Sequence, residues 1–357
     1  MTEWREMSLG DACARLRSGS NITAAHIQET GDFPVFGGNG IRGYSSESNF
    51  SGECAIIGRQ GAYCGNVRFF RGTARMSEHA VVACANSQNN TQFLAYLLST
   101  LNLGRLSGQA AQPGLSVKVL AQQQLLLPPL ETQIRIASMV DVIDDLIENN
   151  RRRVQVLEEM ARAIYREWFV KFRYPGHEDV PLVDSSLGPI PARWAVETIA
   201  DLCAQINAGG TPKRSVSAFW SDPDVDWYKT GDLTDSILLS SSEQISQLAA
   251  TKVRMFEPDT ILFAIYGATI GRLGLLACRA SANQAALGLL ADPTVSTTEH
   301  LWFVLENLRS HLITIAQGAA QQNVSKEKVA SAAVARPPRG IVDKFTDRVR
   351  APWRLSH

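Results

Sequence analysis

The 357-residue chain has no excess of either charge: 35 lysines and arginines are matched by 35 aspartates and glutamates. Composition therefore does not announce a partner gripped by bulk charge, nucleic acid included. The six cysteines (Cys13, Cys54, Cys64, Cys84, Cys203 and Cys278) contain no C-x-x-C pair and no histidine at ligand spacing. Neither a disulfide framework nor a metal site is expected, and free thiols suit a reducing cytoplasm. An apolar leader core is lacking in "MTEWREMSLGDACARL", so a cytoplasmic protein is expected. The most membrane-like run, Ile261 to Ala277, is cut by Gly267, Gly271, Arg272 and Gly274. It reads as two short strands around a glycine turn rather than a span. There is no G-x-x-x-x-G-K-[ST], H-E-x-x-H or G-x-S-x-G, so the common phosphate, zinc and serine-nucleophile chemistries find no motif. Asp224, Asp226 and Lys229 in "PDVDWYK" crowd one extended stretch and make a poor metal-nuclease centre; no catalytic residue, cofactor or metal is expected.

What is present is a repetition. "SGQAAQPGLSVKVLAQQQLLLPP" begins at Ser107 and "AQGAAQQNVSKEKVASAAVARPP" at Ala316. "WREMSLGDAC" from Trp4 is echoed by "WAVETIADLC" from Trp194, and "IIGRQGAYCGNVRFF" from Ile56 by "LFAIYGATIGRLGLL" from Leu262. In the last pair Gly61, Ala62 and Gly65 fall on Gly267, Ala268 and Gly271, and both read as strand, glycine turn, strand. "FLAYLLSTL" and "LWFVLENLRSHL" follow with helical periodicity. Landmarks in one order at nearly constant offset imply two homologous α+β domains, residues 1–129 and 175–336. The two echoed tails are polar turns leading into helix starts, with Ser116 and Ser325 placed as N-caps.

Between the domains, residues 130–172 contain no glycine or proline. Ile136, Val140, Ile143, Ile147, Asn150, Val154, Leu157, Ala161, Ile164 and Trp168 alternate at spacings of four and three, a heptad seam with one polar interruption. The spacing predicts a long central helix over 130–174, roughly 60 Å in length, stopped by Tyr174-Pro175-Gly176. Such a seam demands a partner helix, with Asn150 setting register.

"FPVFGGNGIRGY" from Phe33, "VDWYKTGDL" from Val225, "DTILFAIYGATIGRLGLL" from Asp259, "AAQPGLSVKVL" from Ala110, "AAQQNVSKEKV" from Ala319 and "LPPLETQIRI" from Leu127 together resemble the DNA specificity (S) subunit of type I restriction-modification systems. The resemblance covers nearly the whole chain. It implies two target recognition domains, each reading half of a bipartite site in double-stranded DNA, held on coiled-coil-type helices. It further implies docking of methyltransferase (M) subunits, two copies by the approximate two-fold relation of the domains, with the restriction (R) subunit engaged indirectly. The S subunit performs no chemistry, and the chain lacks the Asn/Asp-Pro-Pro-aromatic motif of an amino-methyltransferase. Adenine as the methylated base follows from the resemblance alone.

DNA reading needs cations on phosphates and hydrogen-bonding side chains on base edges. The candidates in the first domain are Arg42, Tyr44, Arg59, Gln60, Arg68, Arg71 and Arg75; in the second, Lys213, Arg214, Lys229, Tyr266 and Arg272. Gln109, Gln112, Gln321, Gln322 and Asn323 are either capping and docking residues or DNA contacts. The second domain carries 17 acidic against 12 basic residues over 176–336, so weak DNA binding by the chain alone is expected, with M subunits supplying part of the phosphate grip. Against a complete S subunit, residues 337–357 read as a shortened second helix of about three turns that meets Pro352. The unpaired seam then calls for M subunits, self-association into a homodimer, or an inactive truncated relative; a free-standing DNA-binding or regulatory protein is the competing function.

Overall fold

The computed structural model describes residues 4–107, 114–317 and 324–356. The chain forms two compact units, residues 1–149 and 150–357. The expected turn residues Gln109, Gln112, Gln321, Gln322 and Asn323 lie outside the described residues.

Unit 1 runs through β1 (Arg5–Ser8), β2 (Cys13–Ser18), β3 (Phe33–Gly37), β4 (Gly40–Ser45), β5 (Phe50–Gly58), β6 (Val67–Met76), β7 (Ala80–Ala85), α1 (Thr91–Thr100), β8 (Gln124–Leu127) and the first half of α2 (Leu130–Tyr165). Six strands form one sheet in the order β2-β7-β5-β6-β3-β4. All neighbours are antiparallel except β3 and β6. Successive side chains of β5 and β7 point to opposite faces of the sheet, both apolar here, and Ile57 and Val81 share the face that Phe93, Leu94 and Leu98 of α1 cover. Asn90 caps α1 by accepting from the Phe93 N–H at 2.8 Å, which fixes where the helix begins. β8 pairs antiparallel with β1, tying the start of the chain to the strand that feeds α2.

Unit 2 repeats this plan with β9 (Ala195–Thr198), β10 (Cys203–Ala208), β11 (Val225–Tyr228), β12 (Ser236–Leu238), β13 (Gln244–Ile245), β14 (Met255–Phe256), β15 (Ile261–Ala264), β16 (Leu273–Leu276), β17 (Ala280–Ala282), β18 (Ala286–Ala291), α3 (Thr298–Gln317), β19 (Ala333–Arg336) and α4 (Arg339–Ser356). Its strands divide between a five-stranded sheet, β10-β18-β15-β16-β12, and a four-stranded one, β13-β11-β17-β14. The parallel pair β3/β6 has its counterpart in β11/β17, and β1/β8 in β9/β19. Ser116 and Ser325 cap equivalent short helices, accepting from Val119 and Lys328 N–H respectively. The apolar run at 261–277 forms β15 and β16 around a turn at Gly267–Thr269.

The duplication is visible bond by bond. Arg59 N–H donates to the His79 carbonyl at 2.9 Å, and Ile265 N–H to the Ala285 carbonyl at 2.9 Å. The return contacts match: Leu115 to Arg59 at 2.8 Å against Val324 to Ile265 at 2.9 Å, and Gly65 to Gly58 at 2.8 Å against Gly271 to Ala264 at 2.9 Å. Gly65 has φ of 86° and so has Gly271, a left-handed conformation that glycine adopts without strain.

Two boundary expectations change. The central helix is α-helical only to Tyr165 and closes with a π-helical turn, Arg166–Val170; there the wider turn accompanies burial of the successive residues Trp168 and Phe169. The C-terminal helix is longer than the three turns expected and runs through Pro352, from Arg339 to Ser356. Proline forfeits one helical hydrogen bond. Here the last turn is held instead by Trp353, buried against Trp302 with ring centroids 5.3 Å apart, and by Arg354, which donates to Glu299 at 3.2 Å.

Candidate nucleic-acid interface

In unit 1 three loops converge on a cleft of about 540 Å³: the β3–β4 turn, the turn after β5 and the turn before β7. Gly38 sits where they meet, so close that a Cβ there would lie 3.4–3.5 Å from the Gln60 carbonyl, Gly58 and the His79 carbonyl. Among the expected residues, Arg42 and Gln60 line this cleft, while Arg59, half-buried beside Gln60, donates to the Glu78 carbonyl at 3.4 Å. The stem of Arg42 lies along Gly37, and the Arg68 guanidinium lies beside Gly40. Both arginines are exposed.

Other candidates fall elsewhere. Tyr44 is half-buried and its backbone exchanges hydrogen bonds with Gln28 at 2.8 and 2.9 Å. Arg71 pairs with Glu53 at 2.8 Å, and Arg75, largely buried, pairs with Glu47 at 3.3 Å. The even run of arginines along β6 is thus three different environments. Asn39, Tyr63 and His79 also line the cleft; the sequence marks Asn39 through its glycine neighbours, while nothing in "SEHA" marks His79.

In unit 2 two of the expected cations, Arg214 and Lys229, meet at one carboxylate. Arg214 is stacked on Trp220, 3.7 Å from its ring centroid, with Trp227 at 5.2 Å. Its guanidinium is bidentate to Glu243, with one contact of 3.0 Å, and Lys229 reaches the same carboxylate at 3.3 Å. Hydrogen bonding from Arg214 holds the Glu243 carboxyl below its ordinary range, so it remains ionised and offsets both cations. Lys213, Tyr266 and Arg272 are exposed, Tyr266 as the residue that opens the Gly267–Thr269 turn. Trp220, Trp227 and Glu243 escape a reading of cations along the sequence because they meet Arg214 only in the fold. Asp226 accepts from Ser241 and Gln244, and Asp224 from Gln247. Among the described residues no group of three His, Cys, Asp or Glu side chains could hold a metal ion, and no helix is long and apolar enough to cross a membrane.

The seam divides into three stretches. In unit 1, Ile136 and Val140 are half-buried beside Ala137, while Gln133, fully buried, accepts from Asn90 N–H at 2.9 Å and donates to Asn89 and Pro128. Asp141 and Asp144 take hydrogen bonds from Gln92 and Tyr96 of α1. In the middle, Ile143, Ile147 and Asn150 are exposed, and with Met139 (69 % exposed), Val142 and Leu146 they leave an apolar strip on the helix. In unit 2, Val154, Leu157 and Ile164 are half-buried and Ala161 and Trp168 buried. Tyr165 and Phe169, outside the predicted seam, carry the packing there by contacting Phe303 and Phe345.

The family described as the type I restriction modification DNA specificity domain matches residues 1–159 and 191–344. The chain belongs to this family. It is 38 % identical over 164 residues to the specificity subunit of the type I restriction enzyme EcoprrI from Escherichia coli, covering 45 % of the chain and 41 % of that protein. It is 22 % identical over 271 residues to the MjaIX specificity subunit from Methanocaldococcus jannaschii, covering 73 % and 62 %. The chain thus spans less than two thirds of the length of these curated relatives. In fold it resembles the crystal structure of an S subunit from M. genitalium, with a TM-score of 0.71 at 12 % identity, over 99 % of this chain and 92 % of that one. The family match falls on both units, in agreement with the duplicated hydrogen-bond frame.

Proposed function

We propose that the chain is the DNA-reading subunit of a type I restriction-modification complex, each unit recognising one half of a bipartite site in double-stranded DNA. The observation that carries this reading is the duplicated loop frame, which appears twice in one chain and bears exposed arginine, amide and tyrosine side chains both times. Those groups supply phosphate grip and base-edge hydrogen bonds. Arg42, Arg59, Gln60, Arg68, Lys213, Arg214, Lys229, Tyr266 and Arg272 are the proposed contacts; Tyr44, Arg71 and Arg75 support the sheet behind them.

The apolar strip of α2 supports docking of methyltransferase subunits, two copies in keeping with the two equivalent units, with a restriction subunit joining through them. Self-association through the same strip is the competing cover. The chain contributes no chemistry in this proposal; transfer to adenine N6 belongs to the partner, in a cytoplasmic complex. Affinity for duplex DNA is measured with and without the methyltransferase subunit. The chain alone is expected to bind weakly and without sequence preference, and the complex tightly at a two-part site. Equal affinities would discard the proposal.

A further inference from the structure

The two units allow a comparison inside one molecule. Where main-chain hydrogen bonds superimpose the frames, the turn glycines and several small residues agree: Gly61 with Gly267, Ala62 with Ala268, Gly65 with Gly271, Ala80 with Ala286, Ser116 with Ser325. The side chains carried on that frame do not. Gln60 stands where unit 2 has Tyr266, Tyr63 where it has Thr269, Glu78 and His79 where it has Gln284 and Ala285. The Ser77 N–H to Phe36 bond at 3.0 Å matches Asn283 to Tyr228 at 2.9 Å, which aligns the turn holding Asn39 with the one holding Gly231. Equal main chain with unequal side chains is the pattern expected of a ledge that must present different hydrogen-bonding groups to two different half-sites.

Resting on the function proposed above, we infer that these slots read base identity: Asn39, Gln60, Tyr63 and His79 for one half-site, Tyr266 and Gln284 for the other. Asn39 and Gln60 are exposed at the cleft, and a side-chain amide offers the donor and acceptor pair that complements one edge of adenine. His79 turns one ring nitrogen to Glu78 at 3.0 Å, which leaves the other for a ligand. Gln284 is exposed and accepts from Thr211 through its amide oxygen, which leaves its NH₂ for donation. The cleft holds about 540 Å³, and the exposed cations Arg42 and Arg68 lie against the glycines of its β3–β4 turn. Specificity thus resides in slot chemistry, and affinity in the arginines around it.

The test expresses the full chain with the methyltransferase subunit that binds it, in cells carrying a plasmid library of random duplex sequence. Methylated positions are read by single-molecule sequencing. Wild type is expected to yield a two-part motif. Asn39→Ala, Gln60→Ala and His79→Ala should each relax one or two positions of the same half by about tenfold, leaving the other half intact; Tyr266→Ala should relax only that other half. Arg71→Ala, on the sheet outside the slots, should leave the motif unchanged. A variant that yields no methylation is replaced by Gln60→Glu or His79→Gln, whose motif must change at the same positions. Slot variants that methylate the wild-type motif, at full or uniformly lowered extent, overturn the inference. A wild type that methylates without any two-part motif overturns the proposed function instead.

Discussion

Glu243 shows how a single residue changes the meaning of its neighbours. In the linear sequence Arg214 and Lys229 count as two cations in an acid-rich domain; in the fold both donate to one carboxylate, and Arg214 is stacked on Trp220. They are held in place, and their charge is offset. Glu243→Gln keeps the shape while removing the counter-charge. Binding of the methyltransferase complex to duplex DNA should then tighten, with a log–log salt dependence steeper by about one to two; an unchanged slope would show that neither cation approaches phosphate. The thiols are a second case. Burial pushes Cys13, Cys54 and Cys203 up to about 12, far above the range in which a thiolate forms at neutral pH, whereas Cys278 is exposed. Timed alkylation at pH 8 followed by peptide mapping should find Cys278 modified first and those three only after unfolding. Early loss of Cys54 would contradict its enclosure in the sheet.

At the level of elements, equivalent positions of α1 and α3 differ in ways that can be measured. Phe93 and His300 occupy the same place, three residues after the caps Asn90 and Thr297. His300 is enclosed by Phe169 and Phe345, with Ser296 Oγ at 2.8 Å. Desolvation, aided by Arg339, lowers its pKa to about 3 from an ordinary 6.5. Below pH 6.5 the unfolded chain takes up a proton that the folded chain refuses until near pH 3, so this contribution is whole above 6.5 and is lost as pH falls. Each unit of pH in that window costs about 1.4 kcal/mol. Tryptophan fluorescence reports chiefly on unit 2, which holds every tryptophan except Trp4. Between pH 6.5 and 5 the wild-type chain should lose about 2 kcal/mol more than His300→Phe; parallel losses would refute a neutral buried imidazole.

The same elements show what a sequence can and cannot convey. The two α+β units, the glycine turns, the serine caps and the central helix were legible because each rests on local rules, namely periodicity, φ requirements and capping chemistry. The buried face of α2 was only half legible. A heptad count selected Ile143 and Ile147, which are exposed, and missed Gln133, Tyr165 and Phe169, which are buried, because burial at each helix end is decided by the unit it enters rather than by an uninterrupted seam. Trp4 and Trp194 make the point most directly. They open the same motif, yet Trp4 is 54 % exposed, while Trp194 is 6 % exposed beneath Phe169, Phe172 and Tyr174. The cleft residues His79 and Tyr63 were illegible because they approach Asn39 only when β3, β5 and β7 pair in the order of the sheet.

At the scale of the whole molecule, α2 is one uninterrupted helix of 36 residues, about 54 Å at the standard rise. Its ends are packed in different units, and its middle, around Ile143 to Arg153, is exposed. If that helix sets the distance between half-sites, as the proposed function requires, its length is written into the DNA. Inserting one seven-residue repeat after Asn149 preserves the helical face of every flanking residue to within about 20° and leaves both cores untouched. It adds about 10.5 Å, or about three base pairs at 3.4 Å each. The methylated motif of the insertion variant should therefore keep both half-sites and gain a longer unread spacer, read by sequencing methylated DNA from cells that also carry the methyltransferase subunit. A three-residue insertion at the same point rotates the second half of the helix by about 300° instead, so it should abolish methylation rather than extend the spacer. Identical spacing in the seven-residue variant would mean that contacts other than the helix fix the separation, and the ruler would have to be sought in the methyltransferase subunits.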